Sequence, residues 1–326
     1  MRDEDDALFS GRGSLPEDLA RLERALSQLP LPPEPDWSAR PRAERRPPVF
    51  AWAAAAAVLV IASAALLLLG RDAWRVETLA GKPSLGGVAF AGRIALGGRV
   101  TTDTRSRARL DVQGLGVVEL EPGSALRRVR GQGPERKLAL DHGTLTAFIQ
   151  APPRQFVVET PVGVATDLGC TYTLSVARDG RGKLAVTLGR VTFTHDGLES
   201  FVPAGLWCPL SAAGDGVPRR DYASDTFLAA IATYDSTPGD APALERVLET
   251  AEPSDAITLW HLLPRVDDTA RALVAARIAA LIEVPADVSR ERVLALEPAA
   301  LDAWWGAIGM GPASEWRATS PKQALP

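Results

Sequence analysis

Hydrophobic positions along the chain follow three different patterns. Residues 49–70, VFAWAAAAAVLVIASAALLLLG, form an apolar run with no charged residue. As a helix of roughly 1.5 Å per residue this run is about 33 Å long, matching the bilayer core. Its Val, Leu, Ile and Phe residues favour insertion by about 3 to 6 kcal/mol, and no charge opposes them. The pattern predicts one transmembrane helix. A cleavable leader is not the expectation, because 48 residues precede the run and Ala62-Ser63-Ala64 lies inside it. Trp52 and Trp74 are spaced to sit at the two membrane interfaces.

Before the run, Leu15, Leu19, Leu22, Leu26 and Leu29 recur every three or four residues, which predicts a short amphipathic helix over about 15–29. Ser14, Pro16 and Glu17 provide start signals, and Pro30 ends it. Residues 1–14 read as a polar tail, and Pro30 to Pro48 as a Pro- and Arg-rich linker within the segment 1–48. A lone helix of this length is marginal in water, so the stripe needs a partner. Self-association, the membrane surface and another cytoplasmic protein are all open, with Trp37 part of the same contact.

After the run, residues 71–84 read as a juxtamembrane linker, and from about Leu85 to Ser211 the apolar residues alternate. Examples are Ala108, Leu110 and Val112; Tyr172, Leu174 and Val176; and Leu184, Val186 and Leu188. A spacing of two marks half-buried strands. The breaks carry glycine, as in Asp141-His142-Gly143, Asp179-Gly180 and Asp196-Gly197, so an all-β sandwich, roll or solenoid is expected over 85–211. From Ser224 the spacing turns helical. Candidate helices are Asp225–Tyr234, Ala243–Ala251, Asp255–Leu263, Thr269–Ile282, Ser289–Leu296 and Pro298–Ile308, giving an all-α domain over 224–310, possible as a helical repeat array, and a tail over 311–326.

Composition narrows function more than fold. The net charge of −4 is too near neutral to imply direct nucleic-acid binding. The chain has no Asn and four Lys among its 36 basic residues, a bias that suits a GC-rich genome. His142 and His195 fall in predicted turns, and His261 among Leu259, Trp260, Leu262 and Leu263 reads as a core histidine. No pair has metal-ligand spacing, and neither a complete phosphate loop nor a nucleophile elbow occurs. The expectation is a non-enzyme without cofactor or metal.

One stretch carries a family resemblance. Residues 155–172, QFVVETPVGVATDLGCTY, resemble the FecR family's central signature, PF-x-V-x-T followed by V-L-G-T-x-F-x-V. Residues 118–124 (VELEPGS), 138–145 (LALDHGTL), 186–191 (VTLGRV) and 203–205 (PAG) are similar to further family segments, in the family's order. The resemblance implies a single-pass protein of the bacterial inner membrane with a cytoplasmic N-terminus. Its tail would regulate a sigma factor, and its exported, periplasmic β domain would receive a signal from an unknown protein or ligand. The basic residues flanking the run lean the same way, with Arg40, Arg42, Arg45 and Arg46 before it and Arg71, Arg75 and Lys82 after.

Two departures from the family keep a second reading open, an exported envelope scaffold or binding module with no sigma-factor role. No His-x-x-x-Cys-x-x-Cys zinc motif precedes the run, and residues 224–310 read as helices where transporter-coupled members carry a signalling domain. Cys170 stands where the family usually has Thr, and Cys208 follows the Ala204-Gly205 turn. In an oxidising compartment the two could form a disulfide worth about 3 to 4 kcal/mol. The alternative is two separate buried thiols.

Overall fold

The computed structural model describes residues 17–28, 30 and 73–311, apart from residues 88, 91, 132, 134, 213 and 287. The predicted span 49–70, Leu15, Leu29 and Trp37 lie outside these. Among the described residues no helix is long and apolar enough to cross a membrane.

Helix α1 (Glu17–Leu26) belongs to one unit of the chain, and the strands and remaining helices to another. Glu17 and Asp18 in its first turn and Arg24 in its last complement the helix dipole. None of its residues is buried.

The second unit begins with β1 (Trp74–Ala80), β2 (Ser84–Gly86), β3 (Ala89–Phe90), β4 (Arg93–Ile94), β5 (Arg99–Thr101) and β6 (Arg107–Asp111). It continues with β7 (Gly116–Leu120), β8 (Ala125–Val129), β9 (Arg136–Ile149), β10 (Phe156–Thr160), β11 (Gly163–Asp167) and β12 (Thr171–Val176). The last strands are β13 (Gly182–Leu188), β14 (Arg190–His195), β15 (Leu198–Pro203), β16 (Leu206–Ser211), β17 (Gly214–Asp215) and β18 (Arg219–Arg220).

These strands build two main sheets. The first runs β1-β6-β7-β9-β12-β13-β16, with β17 and β18 both on β16. The second runs β2-β5-β8-β9-β10-β11-β14-β15, and only its β9–β10 pair is parallel. Alternation along the strands places one face of each sheet in a common core. Val118, Leu145, Tyr172 and Leu184 come from the first sheet, and Leu126, Leu138, Phe156 and Phe193 from the second, all fully buried. At about 1.5–3 kcal/mol per large side chain, this shared burial holds the sandwich together.

Strand β9 belongs to both sheets. Its first half pairs with β8 and β10, and its second half with β7 and β12. Asp141-His142-Gly143, expected as a turn between strands, is therefore the bend inside one continuous strand. Ala125 stands opposite His142 and Leu126 opposite Leu140, so Asp141 is the extra residue of a β-bulge. Gly143 follows at φ 103°, where a Cβ would come within 2.4 Å of the Ser124 Cα. Only glycine fits both the angle and the approach.

The expected linker over 71–84 is also corrected. Val76 and Thr78 pair with Leu110 and Ala108, and Trp74 is fully buried beneath the Arg128 guanidinium, 4.4 Å from its ring centroid. Trp74 thus lies in the core of the sandwich, and an edge strand for the first sheet gains more than a free linker would.

Six helices follow among the described residues: α2 (Asp225–Ser236), α3 (Ala241–Thr250), α4 (Ala256–Leu262), α5 (Asp268–Leu281), α6 (Arg290–Leu294) and α7 (Pro298–Ala307). Ser224, Asp240, Asp267 and Ser289 accept backbone N–H bonds at the starts of α2, α3, α5 and α6. The helices dock on the sandwich through aromatic contacts. Trp305 stacks edge-on with Phe201 of β15 and with Trp260, both at 5.0 Å between centroids. His261 completes the joint: its Nε2 accepts the Phe201 N–H at 3.2 Å and its Nδ1–H donates to the Ile257 carbonyl at 2.8 Å. Arg265 adds a bond to the Ser200 hydroxyl at 2.8 Å.

Candidate functional site

The bend in β9 shapes the surface around it. Asp141, displaced by the bulge, reaches across the second sheet to Arg127 of β8 at 2.9 Å and to Arg99 of β5. Arg99 and Arg127 lie directly opposite each other on neighbouring strands. Two like charges in that position repel, and Asp141 between them offsets the repulsion. Partial burial opposes the Asp141 carboxylate, but hydrogen bonds from Arg127 and Arg99 hold its pKa below the usual carboxylate value.

These groups line an open groove of about 630 Å³ that continues into a smaller hollow of about 310 Å³. His142 and Arg178 line both. Arg178 belongs to the β12–β13 hairpin loop, which extends beyond the Val176–Gly143 pair and so stands beside the bend. Arg178 is exposed and has no hydrogen-bond or ion-pair partner among the described residues. The half-buried His142 ring likewise makes no hydrogen bond to them. Burial first, then the Arg178 charge, push the His142 pKa below the ordinary imidazole value, against the pull of Asp141.

The groove floor is already committed to structure. The Thr102 hydroxyl accepts the Ser124 N–H at 2.9 Å and donates to the Glu121 carbonyl at 2.7 Å. The Ser124 hydroxyl accepts the Thr144 N–H at 2.9 Å. The groups left to act are the guanidinium edges and the imidazole.

A second feature lies at the other end of β9. Phe148, Thr171 and Leu188 stand side by side on the outer face of the first sheet, with Phe148 and Leu188 exposed. Behind them Cys170 donates its thiol to the buried Asp167, which also accepts the Gly169 N–H at 2.6 Å. Burial pushes the Asp167 carboxyl up to about 6 and raises the Cys170 thiol well above its usual value, so the thiol stays protonated.

The predicted partner-binding leucines divide by what the structure describes. Leu19, Leu22 and Leu26 lie on α1 and are 36%, 55% and 57% exposed. Leu15, Leu29 and Trp37 fall outside the described residues. The expected Cys170–Cys208 disulfide is not formed: both thiols are free and buried. Leu184 pairs with Leu174 on one side and with Cys208 on the other, so Cys208 lies two strands and four residues from Cys170. That separation is roughly 16 Å, against a limit of about 7 Å between bridged Cα atoms. Cys208 instead donates to the Gly216 carbonyl at 2.9 Å.

Among the described residues no three His, Cys, Asp or Glu side chains converge as metal ligands. Sequence reasoning did not find the groove, because Arg99, Arg127, His142 and Arg178 share no spacing. The one local signal is the Asp-His-Gly string itself, which a bulge and a turn have in common.

Residues 98–192 match the family model described as FecR protein, a segment that contains every groove residue named above. No curated protein matches the chain. Among solved structures, two crystal structures of a protein described as a candidate anti-sigma factor from Parabacteroides distasonis are similar to it. One, at 1.65 Å resolution, is 14% identical over 40% of this chain and 63% of the other, with a TM-score of 0.34. The second, at 2.50 Å, is 13% identical over 47% and 73%, also with a TM-score of 0.34. The match therefore spans just under two thirds of the first of these chains.

Proposed function

We propose that this chain is a FecR-like signalling protein of the bacterial inner membrane. Residues 1–48 lie in the cytoplasm and regulate a sigma factor, residues 49–70 cross the bilayer, and the β sandwich with its helical layer is periplasmic and receives the signal. The FecR match over 98–192 supports a regulatory role, with no catalytic step. The charge-free run supports the crossing.

The observation that carries the sigma-factor role is the leucine face of α1. Leu19, Leu22 and Leu26 share one stripe and no described residue covers them. Such a stripe is the usual means by which a helix enters a partner's apolar groove. Burying two half-exposed leucines contributes about 1.5–3 kcal/mol, enough to change affinity by tenfold or more.

The test is immunoprecipitation of the full-length chain from membranes, with bound sigma factors identified by mass spectrometry. The wild type should retain a sigma factor, and Leu22→Asp should lose it while membrane content is unchanged. Recovery of none, or equal recovery with Leu22→Asp, overturns the role. If deletion of residues 1–48 also leaves the protein's cellular function intact, the envelope-scaffold reading replaces it.

A further inference from the structure

We infer that the groove at the β9 bend is a binding site for an oxyanion, a carboxylate or phosphate group carried by a small ligand. The assignment rests on the groove alone and not on the sigma-factor reading.

Three arginines from three different elements face one hollow: Arg99 from β5, Arg127 from β8 and Arg178 from the β12–β13 loop. One carboxylate, Asp141, opposes them, and His142 between them is neutral at pH 7, so the groove carries two uncompensated positive charges. Neighbouring charges are paired, Lys137 with Glu159 and Arg181 with Asp179, and the Asp103 carboxylate accepts the Arg105 N–H. A volume of about 630 Å³ falls within the range of small-molecule sites.

The donors suit a planar or tetrahedral oxyanion. Arg99 bonds Asp141 through Nη2, so among the described residues its Nε and Nη1 have no partner, and neither has Nη1 of Arg127. Arg178, without a hydrogen-bond or ion-pair partner among the described residues, completes the set from the β12–β13 loop. Guanidinium edges match carboxylate and phosphate oxygens and form the stronger, charge-assisted class of hydrogen bond. A neutral ligand gains only the weaker class of hydrogen bond from this arrangement, and a cation is repelled by it.

His142 makes the inference measurable. Arg178 and Arg99 depress its protonation and Asp141 favours it. An oxyanion among these groups adds negative charge beside the ring, so binding should raise the His142 pKa. The chain has three histidines, so a spectrum of the full-length protein labelled at histidine Cε1 holds three signals.

The experiment titrates the labelled full chain, in a non-ionic maltoside-free polyoxyethylene detergent at constant ionic strength, with inorganic phosphate, with malonate and with glucose. Saturable movement of the His142 signal with phosphate or malonate is expected, together with an upward pKa shift and no response to glucose. The two oxyanion arms distinguish a phosphate site from a carboxylate site. Arg178→Gln, an exposed position outside the core, should weaken binding about tenfold, the loss of one charge-assisted bond. A glucose response equal to the oxyanions', absence of saturation with both oxyanions, or an affinity unchanged by Arg178→Gln overturns the assignment. The His261 signal, buried away from the groove, should not move in any arm.

Discussion

Replacing His261 with glutamine isolates a single buried titration and tests how the helices dock on the sandwich. In the folded chain burial first, then the Arg265 charge, push the His261 pKa from 6.5 down to about 3. In the unfolded chain the ring returns to about 6.5. Between those values the unfolded state binds a proton that the native state refuses, so stability is full above about pH 6.5 and falls as pH drops toward 3. The loss is about 2 kcal/mol at about pH 5 and approaches about 5 kcal/mol below pH 3. Glutamine keeps one acceptor for the Phe201 N–H and one donor for the Ile257 carbonyl, yet does not titrate.

Urea unfolding of residues 73–311, followed by the fluorescence of its tryptophans, Trp260 and Trp305 among them, reads the difference between wild type and His261→Gln at about pH 7.5 and about pH 5. The variant should lose about 2 kcal/mol less than the wild type over that interval, equivalent to about 4–8 °C in Tm. Asp167 titrates in the same range with opposite sign and is common to both proteins, so it cancels in the comparison. Parallel losses in the two proteins would refute a neutral, buried His261 and the docking contact built on it.

Two other substitutions probe the sandwich itself. Asp167, raised to about 6, contributes stability that is present below pH 3.8 and lost as pH rises through 6. Asp167→Asn should therefore remove a decline of about 2.5 kcal/mol between about pH 4 and pH 8 in urea titrations, since asparagine still accepts the Gly169 N–H. Gly143→Ala combines a positive φ with a collision against the Ser124 backbone and should cost about 2–4 kcal/mol. Gly197→Ala, at φ 81° but with nothing within 4 Å of the added Cβ, should cost only about 1 kcal/mol by the same measurement.

Local features of the chain made most elements legible. Four of the helices from Asp225 onward, α2, α3, α5 and α6, begin at their own Ser or Asp caps, and each observed helix end lies within two residues of the periodic segment. The strands are legible because successive side chains face opposite sides, so burial on one face appears as alternation. His261 was legible as a core residue from its apolar neighbours alone. Asp196-Gly197 closes the β14–β15 hairpin with both residues at positive φ, as that dipeptide predicts.

What the chain did not reveal depends on which strands meet. Asp141-His142-Gly143 has turn composition, and it bends a continuous strand because β8 and β10 pair with one half of β9 while β7 and β12 pair with the other. Trp74 has the character of an interface residue, and the pairing of β1 with β4, where Trp74 stands opposite Ile94, and with β6 draws it inside. Cys170 and Cys208 share a sheet, but register keeps β13 between them.

Side-chain period is a local property, set by backbone geometry over a few residues, and here it determined helix, strand and the apolar run. Strand order, the bulge and the convergence of Arg99, Arg127, His142 and Arg178 belong to the tertiary structure. They follow from which apolar faces bury together, and residues far apart in the chain decide that jointly.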